Sequence, residues 1–242
     1  MQIDALALRM RPRSAMEAAD LGVRLCQSAA RPVYLCYWAV GLPAVALSLA
    51  TFEISRWLPG LLILWAKPWF DQTILFVLSR AAFGQPTALS DVWNSQRRVW
   101  WSQLPLSLTL QRLSPWRSFT QPVYQLEGLP FLKARDRVLQ IRRGKTKTAV
   151  LMTGAFATAE GVLTIAVTSF VFWFTPGEVS PASLFSLQKP AYMTFWTVVA
   201  YALVVLFLEP FYVAAGFAMY LNRRAELEAW DIEQELRRAF PE

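Results

Sequence analysis

"VYLCYWAVGLPAVALSLATF", residues 33 to 52, runs for twenty residues without a charge. A helix of that length is about 30 Å long, which matches the hydrocarbon core of a bilayer. Its one internal proline, Pro43, is tolerated as a kink where neighbouring helices can satisfy the freed backbone. The stretch reads as a transmembrane span. The composition agrees, because 55% of the 242 residues are hydrophobic, 14% are aromatic and only 17% are charged. The mean hydropathy of +0.31 is too high for an ordinary soluble domain.

Three more windows have the length of a span. Leu58 to Gly84, "LPGLLILWAKPWFDQTILFVLSRAAFG", is interrupted by Lys67, Pro68 and Asp71. Thr148 to Phe174 holds Glu160, and Thr194 to Leu221 holds Glu209 and Pro210. The expected fold is an all-α polytopic membrane protein with four transmembrane helices and cytoplasmic amphipathic helices. The chain divides into a cytoplasmic amphipathic segment (1–32), a transmembrane hairpin (33–84), a basic cytoplasmic interfacial loop (85–147), a second hairpin (148–221) and an amphipathic tail (222–242). Pro68 leaves two geometries open for the second span, one continuous helix or two half-helices.

Orientation follows from the basic residues, which stay on the cytoplasmic side of a membrane. Five lie in residues 1–32, twelve between Arg80 and Lys147, and four in the tail. The opposite loops hold only Arg56 and Lys189. The chain is expected in the inner (plasma) membrane with both termini cytoplasmic. Its pI near 9.7 then belongs to a surface beside the bilayer rather than to a nucleic-acid site. No apolar h-region precedes the first span, so that span is expected to serve as the insertion signal.

The cytoplasmic segments carry their own patterns. Ser14 and Glu17 have capping-box spacing, followed by Met16, Ala19, Val23 and Cys26 at helical intervals, which predicts a helix lying on the inner membrane surface. In the loop, "LSDVWNSQRRVWWSQL" sets Trp93, Trp100 and Trp101 against Arg97 and Arg98, a pattern suited to the headgroup region, with Ser90 as its N-cap. The middle of the loop is broken by Pro115, Pro122, Gly128 and Pro130, so it reads as an irregular connector folding back on the bundle or on a partner. Lys133, Arg135, Arg137, Arg142 and Arg143 belong to a juxtamembrane basic run that attracts anionic lipid. The acidic tail is expected to pack on this loop or dock with another protein through Trp230.

The intramembrane charges form the candidate site. Glu160 lies 13 residues past Lys147, Glu209 lies 14 before Arg223, and Asp71 lies 13 before Gly84. All three stand about 20 Å up their helices and share a layer. Lys67 can pair with Asp71 at i,i+4 spacing or with a glutamate of a neighbouring helix. A lone charge at mid-bilayer costs at least about 2.5–3.5 kcal/mol, so the cluster must face the bundle interior, pair or titrate. Two readings follow, a polar cluster that fixes helix packing, and a proton or cation relay or a substrate site at a helix break. Small residues at Ala214, Ala215, Gly216 and Ala218 would let another helix approach the last span closely.

The segments "RPRSAMEAADLGVRL", "KPWFDQTILFVLSRAAFG", "RLSPWRSF" and "GFAMYLNRRAELEAWDIEQELRR" together resemble an uncharacterised family of bacterial inner-membrane proteins encoded beside MoxR-type AAA+ ATPases and transglutaminase-associated membrane proteins. The resemblance implies a place in the bacterial envelope and a multiprotein setting, with an AAA+ ATPase and other membrane proteins as partners, and supplies no catalytic residue. Enzyme chemistry is disfavoured on physical grounds: the chain has no histidine, and no Ser or Cys nucleophile stands in a recognisable setting. Neither Cys26 nor Cys36 suggests a disulfide or a zinc site, and no metal or cofactor is expected. The expected role is a noncatalytic membrane subunit or scaffold that docks protein partners, with anionic lipid at its cytoplasmic face and homo-oligomerisation left open. The alternative is a small transporter or channel component built on the intramembrane charges.

Overall fold

The computed structural model describes residues 13–95, 114–173 and 190–228. Among these residues all regular structure is helical. The α-helices are α1 (Ala15–Ser28), α2 (Ala30–Ala50), α3 (Leu58–Ala82), α4 (Leu89–Asn94), α5 (Arg117–Leu126), α6 (Phe131–Arg142), α7 (Thr146–Trp173) and α8 (Ala191–Glu228). Four segments are long and apolar enough to cross a membrane: Ala30–Glu53, Leu58–Ala82, Thr146–Phe170 and Ala191–Glu228. The chain is a membrane protein. The second span is one continuous helix through Lys67, Pro68 and Asp71.

α8 is the axis of the molecule. Its 38 residues make a rod of about 57 Å, well beyond the length a bilayer requires. It runs without a break past Leu221, where the sequence suggested a boundary, and every residue from Tyr212 to Asn222 is buried. The helices packed on α8 include α1, α3, α5 and α7.

α1 packs along α8, so its buried face is covered by protein. Together with α2 it runs antiparallel to α8 over nearly its whole length. The Arg13 backbone N–H donates to Asn222 Oδ1 at 3.2 Å, Tyr34 Oη donates to the Phe207 carbonyl at 2.7 Å, and the rings of Phe52 and Phe195 meet edge to face. The two termini of the described chain therefore lie on one side. The capping box forms as the sequence implies, with Ser14 Oγ accepting the Glu17 N–H at 3.3 Å and Glu17 Oε2 accepting the Ser14 N–H at 3.1 Å. The buried stripe, however, is Ala18, Ala19, Gly22, Leu25 and Cys26, and Met16 is exposed. Gly22 explains the rotation, because a Cβ there would stand 2.1 Å from the Ala214 carbonyl oxygen, so only glycine permits this crossing. The same burial pushes the Cys26 thiol up to about 12, away from reactivity.

At Pro210 the helix has a backbone vacancy to fill. Proline has no N–H, so the carbonyl of Leu206, four residues earlier, loses its helical donor. The Trp38 indole Nε1–H donates to that carbonyl at 3.2 Å, flanked by Tyr34 on Phe207 and by Tyr37 Oη on the Val205 carbonyl at 3.3 Å. Three aromatic side chains of α2 thus serve three consecutive carbonyls of α8. Trp38→Phe keeps most of the ring contact and removes one donor, which should cost about 1–3 kcal/mol for the unsatisfied carbonyl. Thermal unfolding of Trp38→Phe beside a Trp57→Phe control, at an exposed site, measures that loss.

The connector does fold back. α5 has Ser118 to Val123 buried, wedged against α8 and α3. A Cβ on Gly216 would come within 2.4 Å of the Ser118 backbone carbon, so α5 and α8 touch backbone to backbone at this point. Gly22 and Gly216 thus show that the small-residue run of the last span receives two helices. Ser90 is not a cap. α4 begins one residue earlier, and its first turn is closed by Asp91, whose Oδ2 accepts the Ala88 N–H at 3.0 Å.

Candidate functional site: a five-charge cluster

The sequence supplied three acids and one lysine, and the fold gathers all four. Lys67 Nζ pairs with Glu160 Oε2 of α7 and with Glu209 Oε2 of α8, the latter at 3.0 Å. The i,i+4 partnership of Lys67 with Asp71 is not used. Asp71 is instead held by a fifth residue, Arg117 of α5, whose Nε lies 2.7 Å from Asp71 Oδ2. Arg117 Nη2 also donates to Glu209 Oε1 at 2.8 Å. Each cation therefore bridges two carboxylates, and Glu209 is the carboxylate they share. Lys67 and Glu209, which open the similar stretches "KPWF" and "EPFY", meet directly.

Arg117 is the residue that sequence reasoning left in the cytoplasmic loop. Its position is fixed from several sides. The Gly216 crossing sets the depth of α5, Gln121 Nε2 donates to the Pro68 carbonyl at 3.4 Å, and Gln125 Nε2 donates to the Gln72 carbonyl at 2.8 Å. The guanidinium also stands 5.4 Å from the centre of the Tyr212 ring, within cation–π range. Four helices, α3, α5, α7 and α8, are thus tied at one point.

The cluster borders a cavity of about 290 Å³. Its polar lining includes Lys67, Arg117, Glu160, Glu209, Ser114 and Tyr212. Among the described residues, no group of three or more His, Cys, Asp or Glu side chains is arranged to hold a metal.

The residues expected to touch lipid or a partner separate into three sets. Arg137 is occupied by Glu127 at 3.2 Å and by Glu228, and the Arg142 guanidinium lies 3.5 Å over the Trp116 ring. Trp93, Lys133, Arg135 and Arg143 are exposed. Arg97, Arg98, Trp100, Trp101 and Trp230 lie outside the described residues. The acids at the end of α8 do meet the basic loop, since Glu226 takes Lys145 at 2.9 Å and Arg223 Nη2 donates to the Arg143 carbonyl at 3.1 Å. Tyr220 Oη, donating to Glu127 at 2.7 Å, closes this second polar layer.

No known protein family, no curated protein and no solved structure matches the chain.

Proposed function

We propose that the chain is a noncatalytic subunit of the bacterial inner membrane, a scaffold with both termini cytoplasmic that docks protein partners in an envelope complex. The observation that carries this reading is α7. Only 6% of its apolar span is buried within the molecule, against 61% for α3 and α8. Its uncovered residues include Gly154, Ala155, Thr158 and Gly161, small side chains of the kind that let membrane helices approach closely. The Lys67–Glu160 pair fastens α7 to the bundle from the opposite direction. The partner is a transmembrane helix of another membrane protein, and an AAA+ ATPase fits the cytoplasmic side that the resemblance implies.

The test uses the openness of this face. Among the described residues, a Cβ on Gly154 or Gly161 meets nothing within 4 Å, so Gly154→Leu and Gly161→Leu should leave stability unchanged. Affinity purification in mild detergent, with mass spectrometry, should recover a stoichiometric membrane partner with the wild type and lose it with the leucine variants. Recovery of no stable partner contradicts the scaffold reading. The cavity beside Glu160 favours a second reading, transport. For that one, proteoliposome flux that is unchanged by Glu160→Gln and Glu209→Gln would be fatal.

A further inference from the structure

Two cations face three carboxyl groups, and a carboxylate oxygen they leave over has an address. Glu209 uses both oxygens, one on Lys67 and one on Arg117. Asp71 is fully enclosed against Arg117. Glu160 spends only Oε2, on Lys67, and its side chain is 19% exposed, against 3% for Glu209 and 0% for Asp71. Glu160 lines the cavity of about 290 Å³. The unspent acceptor of the cluster therefore opens onto a space large enough for a ligand.

The walls narrow the chemistry. Ser114 Oγ is buried beside the cavity with no hydrogen-bond partner among the described residues. Thr153 Oγ1 and Tyr212 Oη lie 3.3 Å apart on the same lining. Phe156 and Tyr212 supply aromatic rings, and Leu64, Ala157 and Leu208 make the rest apolar. An anion would meet the free oxygen of Glu160, and both cations are already shared between carboxylates. A primary ammonium brings one positive charge and three donors, and aromatic walls favour an organic cation. At about 30 Å³ per water, the space equals roughly ten water molecules, enough for a short apolar body behind the charge.

We propose that this cavity is a binding site for a small organic monocation, a primary ammonium whose charge is taken by Glu160 and whose apolar body packs on Phe156, Tyr212 and Leu208. The site is independent of whether a partner docks on the outer face of α7.

The experiment is thermal unfolding of the full-length protein in an uncharged detergent, at fixed pH and ionic strength, with n-butylammonium chloride as the probe. The wild type should show a saturable rise in Tm, roughly 5–10 °C at a hundredfold excess over Kd. Glu160→Gln should lose it. Ala157→Phe, which fills the cavity and leaves all five charges in place, should lose it as well and guards against a folding defect in the first variant. No saturable shift, an equal shift with sodium chloride, or an equal shift in Glu160→Gln overturns the proposal. So does a Tm that responds to pH but not to the amine, since a proton would then occupy the free oxygen.

Discussion

Replacing Arg117 with alanine lowers the stability of the protein by about 3–5 kcal/mol, the usual cost of removing one partner from a buried ion pair. Asp71 is fully buried, and Arg117 is its cation. Glu209 keeps Lys67 after the substitution, so the penalty falls mainly on Asp71. Burying an unpaired carboxylate is costly, whereas removing both members of a pair is often nearly neutral. Arg117→Met combined with Asp71→Asn should therefore be closer to wild type than Arg117→Met alone. Detergent-based unfolding of the two single variants and the double variant forms the cycle that isolates the pair. Lys145→Ala, which breaks a partly solvated pair with Glu226, should cost less than about 1 kcal/mol and calibrates the comparison. Equal losses at Arg117 and Lys145 would mean that the cluster is solvated and does not lock the bundle.

Gly216→Leu should be at least as damaging, through packing rather than charge. A side chain there collides with the backbone of Ser118 at 2.4 Å, and a backbone atom cannot turn aside as a flexible side chain can. Overpacking alone costs about 1–3 kcal/mol. Here the relief is withdrawal of α5, which also pulls Arg117 from Asp71 and Glu209. The two penalties add, so Tm should fall by more than with Arg117→Ala. Gly154→Leu, the same change on the open face of α7, should leave Tm within a degree or two. If Gly216→Leu is tolerated as well as Gly154→Leu, the close crossing of α5 on α8 is wrong.

Much of this architecture is legible from local pattern. A charge-free run of twenty residues marks the first span, long apolar windows broken by a few charges mark the other three, and Ser14 with Glu17 marks the start of α1, because length, polarity and cap chemistry are properties of neighbouring residues. The conclusion that Lys67, Asp71, Glu160 and Glu209 must face one another also follows from the cost of an unpaired charge in lipid. What the pattern hides is depth in the third dimension. α1 is amphipathic, and amphipathicity alone does not say whether the covering surface is lipid or another helix; Gly22 is the clue that it is α8. Arg117 sits between Trp116 and Phe119 in a proline-broken loop, so it reads as cytoplasmic. One signal could have found it. Three intramembrane acids against a single lysine demand a second cation, and an arginine next to Trp116 and near Phe119, in a segment bounded by Pro115 and Pro122, is a natural source.

The insertion of α5 into the bundle is the claim on which the cluster, the cavity and the role of Arg117 all depend. Solvent accessibility of single cysteines tests it most directly, with Cys26→Ala and Cys36→Ala in the background and a membrane-impermeant maleimide applied to inside-out vesicles. Leu132→Cys, at an exposed position at the start of α6, should react readily. Phe119→Cys, at a position 1% exposed within α5, should stay unlabelled until the membrane and the fold are dissolved in hot detergent. Labelling of Phe119→Cys as fast as Leu132→Cys in intact vesicles would place α5 on the surface and contradict the account.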